Sequence, residues 1–226
     1  MRILFFLLSS LLLWPTTMGF SMVSPSGRFS ERAETMRVGD MRDLGALIDL
    51  AQAEFQKDYE SGVERGALRF LLWMGFFLRL SNDDTKDHTV VIYEVNGKIK
   101  GMVELSAQPL NSPASAVPPP KWFKTRQGRL YPYLSNLLVA SDSRKKGIGR
   151  KLVNFCEQRV RQQWADDSVT LHFDASDRGL RRFYQRLGFR ISPSSRKEKA
   201  GAIVHFEGIN LTYAVKHLKD TTWPPW

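Results

Sequence analysis

The sequence predicts a mixed α/β fold: one central, mostly antiparallel sheet flanked by helices. Three observations carry that prediction. Two strand-like runs, 89–95 and 98–105, are joined by Asn96-Gly97, the dipeptide preferred in a type I′ hairpin, which makes them antiparallel neighbours. A third apolar run ends at Val139 and passes through a short basic, glycine-bearing turn straight into an amphipathic helix. The periodicities along the chain read β-α-α-β-β-β-α-β-α-β-β, an order that suits a single mixed sheet.

The elements follow in turn. Residues 36–39 form a short first strand, and Asp40 is placed to cap the helix after it. That helix shows Leu44, Leu47, Ile48, Ala51 and Phe55 at helical spacing. Residues 66–80 contain nine apolar positions between Arg69 and Arg79, too few to cross a bilayer, so a buried second helix is expected, with any exposed part open to a partner. After the hairpin, residues 108–129 form a long loop with Pro109, Pro113 and Pro118-Pro119-Pro120, either a functional lid or a tolerated insertion. The strand 130–139 leads to a helix from near Gly147 that turns Ile148, Leu152, Phe155, Cys156 and Val160 toward the core. A strand at 169–174, a helix ending near Gly188 and one or two strands within 203–218 complete the domain. The segment 219–226 reads as an extended tail.

The turn after the third strand carries the chemistry. In Arg144-Lys145-Lys146-Gly147-Ile148-Gly149 the glycines let the backbone turn tightly, the helix N-terminus adds partial positive charge and the basic side chains ring the site. A diphosphate is the natural occupant. The spacing lacks the Gly-Lys-Ser/Thr of a triphosphatase loop. It also lacks the third glycine of the dinucleotide fingerprint, because that position is Leu152.

Arg-x-x-Gly-x-Gly directly after Leu137-Leu138-Val139 resembles the coenzyme A pyrophosphate loop of the GCN5-related N-acetyltransferases (GNAT family). A second motif stands at the matching distance: Phe183-Tyr184-x-x-x-Gly188-Phe189 resembles the family's fourth helix and the strand after it. The resemblance covers residues 36–218 and implies the GNAT fold, with splayed fourth and fifth strands. It further implies that Arg144, Lys145, Lys146, Gly147, Ile148, Gly149 and Arg150 hold the pyrophosphate, and that Asp177 also binds the coenzyme. Leu137, Leu138 and Val139 would hydrogen-bond the pantetheine arm like an added strand. Tyr184 would stand near sulfur as the acid. Acetyl-CoA is the expected co-substrate, with no metal.

The amine attacks the thioester directly, so the site needs a route for its proton, an oxyanion donor and an acid near sulfur. His172 and Asp177 occupy the positions of a glutamate and an asparagine in the family's ribosomal-protein alanine acetyltransferases. This makes His172 the candidate base, with Asp174 and Glu104 as weaker ones. For the acceptor, a protein amine (N-terminal α-amine, lysine ε-amine or both) is expected from similarity of residues 133–139 and 171–173 to plant plastid members. A small amine or polyamine is the alternative, and a non-catalytic coenzyme-binding module a third reading.

Composition bears on partners and address. The net charge of +10 suggests nucleic acid, but much of the excess lies in 144–151 and 178–199, and no nucleic-acid motif accompanies it, so no specific nucleic-acid partner is expected. Residues 1–35 read as a presequence. Arg2 and the apolar run 3–14, with small residues at Thr17 and Gly19, form a signal peptide over 1–19, too short for a comfortable membrane span. Residues 20–35, opening on Phe20 and rich in serine, resemble the transit half of the bipartite plastid presequence of algae with complex plastids. Cys156, the single cysteine, gives no disulfide framework, and Asn210-Leu211-Thr212 is a glycosylation triplet within a strand. The expected location is the plastid stroma, with the secretory pathway as the alternative and no membrane span in the mature chain.

Overall fold

Asp40 sets the first turn of the fold. Its Oδ1 accepts the Arg42 N–H, while Asp43 Oδ2 accepts the Asp40 N–H, both at 2.8 Å, a reciprocal cap that starts a 3₁₀ turn over Met41–Asp43. Strand β1 (Glu34–Val38) passes through this turn into α1 (Leu44–Phe55). As the spacing predicts, α1 buries Leu47, Ile48 and Ala51, with Leu44 and Phe55 packed beside them. The computed structural model describes residues 33–56, 59, 61–81, 88–109, 130–174, 176–191, 205–206 and 209–218. The presequence up to residue 32, the insertion from 110 to 129 and the tail 219–226 lie outside the described residues.

Helix α2 (Gly62–Leu80) starts on a second reciprocal cap, Ser61 with Glu64, four residues before the expected start. It buries Leu68, Leu71, Phe76 and Leu80, yet Phe70 and Trp73 are 57% and 43% exposed. The expectation of a buried helix is therefore corrected. A helix of 19 residues lying on a sheet covers one stripe and leaves its far side open, and there Phe70, Trp73 and Phe77 stack in a row. Among the described residues no helix is long and apolar enough to cross a membrane.

The remaining elements are β2 (His88–Val95), β3 (Lys98–Pro109), β4 (Leu130–Val139), α3 (Ile148–Arg159), β5 (Ser168–Asp174), α4 (Arg178–Arg186), β6 (Arg190–Ile191), β7 (His205–Phe206) and β8 (Ile209–His217). The sheet order is β1-β2-β3-β4-β5-β8-β6, with β7 paired to β8. Asn96 and Gly97 have φ of 51° and 72°, the two positive values that the type I′ hairpin between β2 and β3 requires. Every described pairing is antiparallel except β4 with β5.

The two-residue period of the strands divides the core between the faces. Val91, Val103, Leu105, Val169, Leu171 and Phe173 pack under α3 and α4, while Val90, Ile92 and Met102 pack under α1 and α2. Helix α3 buries the expected Ile148, Leu152 and Cys156, then Val160 in the π turn that follows, with Phe155 partly covered. Gly101 of β3 lets α3 approach closely: a Cβ there would lie 3.0 Å from Ile148 Cγ2 and Leu152 Cδ1, and 3.2 Å from the Leu138 carbonyl oxygen. Lys216 of β8 donates to both carboxylate oxygens of Glu157 on α3 at 2.6 and 2.7 Å. Both groups are buried, so removing one partner would cost about 3–5 kcal/mol.

Candidate functional site

The basic turn has the backbone of an anion site. Lys145 and Gly147 both adopt left-handed conformations, φ 62° and 81°, and Gly147 is the N-cap of α3 with no side-chain cap bond. The first N–H groups of α3 are thus left to face an anion, at the positive end of a helix of 12 residues. Lys145 and Arg150 are exposed around it, and Ile148 is buried as the anchor of the helix. Lys146 Nζ donates to the Asp142 carbonyl at 2.8 Å and steadies the turn. Arg144 is exposed but tethered: its Nε donates to the Val139 carbonyl at 3.1 Å and its guanidinium pairs with Glu54 of α1.

Asn136 opens the cleft beside this turn. Its φ of 49° is the left-handed value that asparagine tolerates better than most residues. Ser135 faces Glu104 and Leu138 faces Met102, so Asn136 and Leu137 together oppose Val103, which is a β-bulge. The parallel seam has only two rungs, Tyr133 with Thr170 and Leu134 with Leu171. Beyond it the strands part. Leu138 and Val139 pair with β3 on one side, and among the described residues neither they nor Leu137 has a ladder partner on the other. Sequence reasoning missed the bulge, although an asparagine inside an apolar strand was its signal.

The two motifs meet across this opening. Gly149 has no side chain where Phe183 of α4 sits; a Cβ there would lie 3.3 Å from Phe183 Cζ and 3.9 Å from Leu137 Cδ2. Gly188, at φ 89°, ends α4 and turns the chain into β6. Asp177 is the N-cap of α4, its Oδ1 accepting from Gly179 and Leu180 at 2.6 and 3.0 Å. Tyr184 is 9% exposed and packs among Phe173, Phe183 and Phe189 with ring centroids 5.0–5.8 Å away. Burial pushes its hydroxyl up to about 12, so it stays protonated and able to donate at neutral pH.

His172 lies on the opposite face of β5 from the Phe173–Tyr184 cluster. Its Nδ1 is 3.0 Å from the Tyr133 hydroxyl, and its ring contacts Tyr133 and Tyr213. Burial lowers its pKa to about 4, which makes the ring neutral at pH 7 and a weak proton acceptor beside an α-amine of pKa about 8. Sequence reasoning missed Tyr133 and Tyr213, because only the register of three strands brings them to His172. Glu104 is buried on the same face of the sheet. Burial would raise its carboxyl, but Arg79 at 3.0 Å, with His88 beside it, holds it at about 2. It serves as the buried counter-ion of Arg79. Asp174 Oδ1 accepts the Ser176 N–H at the end of β5. Cys156 is fully buried and its thiol is pushed up by burial.

A cleft of about 620 Å³ opens between α1 and the β3–β4 edge, reaching Leu138 and Val139. Each carboxylate lining it is already paired: Asp43 and Glu94 with Arg37, Asp49 with Arg69, Glu54 with Arg144, Asp142 with Lys100. Among the described residues no group of three or more His, Cys, Asp or Glu side chains is placed to hold a metal ion.

Comparison with known proteins agrees with the fold. The profile of the acetyltransferase (GNAT) family matches residues 46–189. The fold is similar to that of the PaiA N-acetyltransferase from Thermoplasma acidophilum, crystallised in complex with coenzyme A. There the TM-score is 0.57 at 14% identity, over 82% of this chain and 99% of that one. A probable acetyltransferase from Staphylococcus epidermidis gives 0.56 at 14% identity over 82% and 99%. Ard1 from Thermoplasma volcanium gives 0.54 at 16% identity over 82% and 98%. No curated protein matches the chain.

Proposed function

The chain belongs to the acetyltransferase (GNAT) family, and from that premise we propose that it transfers the acetyl group of acetyl-CoA to a protein amine. Acetyl-CoA supplies an activated thioester carbonyl; the chain binds, orients and manages protons. The exposed backbone of the 145–150 turn and its lysines and Arg150 would hold the pyrophosphate, and Arg144 braces the turn against α1. The cleft edge of Leu137, Leu138 and Val139 would take the pantetheine amides as a strand takes its neighbour, and one of its N–H groups would polarise the carbonyl. Asp177 stands at the head of α4, holding the helix that presents Tyr184. Tyr184 gives its proton to the departing thiolate.

The observation that supports the reading is the junction of the two motifs at Gly149 and Phe183, which brings the basic glycine turn beside the helix that carries Tyr184. A protein acceptor is favoured over a polyamine because every carboxylate around the cleft beside Leu138 already holds a cation. Incubating the purified chain with acetyl-CoA, a peptide library and spermidine, with mass spectrometry as the readout, tests this. Acetylated peptides are expected. Acetylation of spermidine alone would overturn the protein reading in favour of a small-amine enzyme.

We also propose that the residues ahead of β1, 1–33, direct the domain that follows to a plastid stroma. The serine-rich segment opening on Phe20, the single cysteine and the glycosylation triplet within β8 support this. A fluorescent protein fused to residues 1–33 should accumulate in plastids of a complex-plastid alga; secretion of the fusion would overturn the assignment.

A further inference from the structure

Tyr133 and His172 face each other at the apex of the cleft. Tyr133 sits on the penultimate rung of the parallel seam, and His172 is the first residue of β5 beyond the last rung. The Tyr133 hydroxyl lies 3.0 Å from His172 Nδ1, where either group can donate. Burial keeps the phenol hydroxyl protonated far above neutral pH, and the acceptor within its reach is His172 Nδ1. A buried hydroxyl proton needs an acceptor, and an Nδ1–H ring would leave it none, so Nδ1 accepts. In a neutral imidazole the remaining proton is then on Nε2. That atom is buried and meets no hydrogen-bond partner. Tyr213 packs on the ring from β8 at 5.1 Å and fixes its plane. A buried N–H is rarely left unpaired in a working site.

We infer that His172, held in its Nε2–H tautomer by Tyr133, donates a hydrogen bond to a carbonyl oxygen of the acceptor, and that the site thereby selects the α-amine of a polypeptide N-terminus. The inference rests on the acetyl-transfer reading above and gives His172 a different role from the base expected from sequence. A peptide N-terminus carries a carbonyl oxygen beside its amine, whereas a lysine ε-amine or a polyamine has none within reach. An α-amine of pKa about 8 is also largely available in its neutral form near pH 8, while an ε-amine of pKa about 10.4 is not. The chemistry balances without an imidazole base. The ammonium loses one proton to water before attack, the N–C bond forms as the C–S bond breaks, the amide nitrogen sheds its second proton to water, and Tyr184 protonates the thiolate.

Two measurements on the full chain test this. Nitrogen-15 NMR of the imidazole rings, with the His172 signals assigned from their loss in H172Q, reads the tautomer directly. An Nε2–H ring in the wild type that becomes a mixture in Y133F is expected, and an Nδ1–H ring in the wild type overturns the inference. Kinetics then compare a peptide with a free α-amine and acetylated lysines, an N-terminally blocked peptide with free lysine, and spermidine. The free α-amine should be preferred. H172Q, whose amide N–H replaces Nε2–H, should retain most of kcat/KM, while H172A falls about a hundredfold, as for loss of one oxygen-binding donor. Equal collapse of H172Q and H172A, or preference for the lysine peptide or spermidine, overturns it. An Nε2–H ring with no transfer to any acceptor would overturn the acetyl-transfer reading itself while leaving the tautomer standing. If H172A does not fold, the tautomer and the H172Q rate still decide.

Discussion

Tyr184 shows how one side chain takes its role from its surroundings. Its motif, Phe183-Tyr184-x-x-x-Gly188-Phe189, was legible in the sequence, but the aromatic cage that raises its hydroxyl to about 12 is assembled from β5, α4 and the residue after the Gly188 turn. A phenylalanine fits the same cage and removes only the proposed acid. Tyr184→Phe is therefore expected to lower kcat by about 10²–10⁴, with KM for acetyl-CoA nearly unchanged, in steady-state kinetics. An undiminished kcat would remove Tyr184 from the mechanism. Tyr133, by contrast, was not legible as a site residue. It alternates along β4 like any strand tyrosine, and only the β4–β5 register gives it His172 as a partner.

At the scale of elements, the cleft depends on one residue of backbone conformation. The bulge at Asn136 adds a residue to β4 opposite Val103, and the strand leaves β5 immediately after Leu134. A β-branched residue is strained at φ 49°, whereas glycine is not. Asn136→Val should cost about 1–2 kcal/mol in urea unfolding and weaken acetyl-CoA binding measured by calorimetry. Asn136→Gly should preserve both. Equal binding by the two variants would show that the bulge does not shape the coenzyme edge. The hairpin at Asn96-Gly97, the cap at Asp40 and the core stripe of α1 were all readable, because each is decided within a few neighbouring residues. The outward face of α2 was not, since an apolar run does not say which of its sides a sheet will cover.

For the molecule as a whole, the buried titratable groups set the acid limb of stability. His172 titrates at about 4 when folded against 6.5 unfolded, and Glu104 at about 2 against 4.5. Both folded values are depressed, so in each window the unfolded chain binds more protons than the folded one. The stability from His172 is fully present above pH 6.5 and is lost as pH falls toward 4; that from Glu104 is present above 4.5 and is lost as pH falls toward 2. Urea midpoints should thus decline from pH 6.5 downward in the wild type. H172Q should flatten the first part of that decline and leave the second. An identical slope between pH 6.5 and 4 in both proteins would contradict the buried, neutral state of His172.

The sequence by itself determined the succession of strands and helices, the basic glycine turn, the two motifs and hence the family, because those features are written in local periodicity and in glycine, asparagine and charge at fixed offsets. Tertiary structure alone decided that Phe183 fills the space left by Gly149, that Arg144 pairs with Glu54 of α1, that Glu104 is the buried counter-ion of Arg79, and that Tyr133 and Tyr213 enclose His172. The physical reason is the same in each case. Burial and pairing across strands distant in sequence fix the charge and proton position of a side chain, and a residue's own neighbours along the chain carry no record of either.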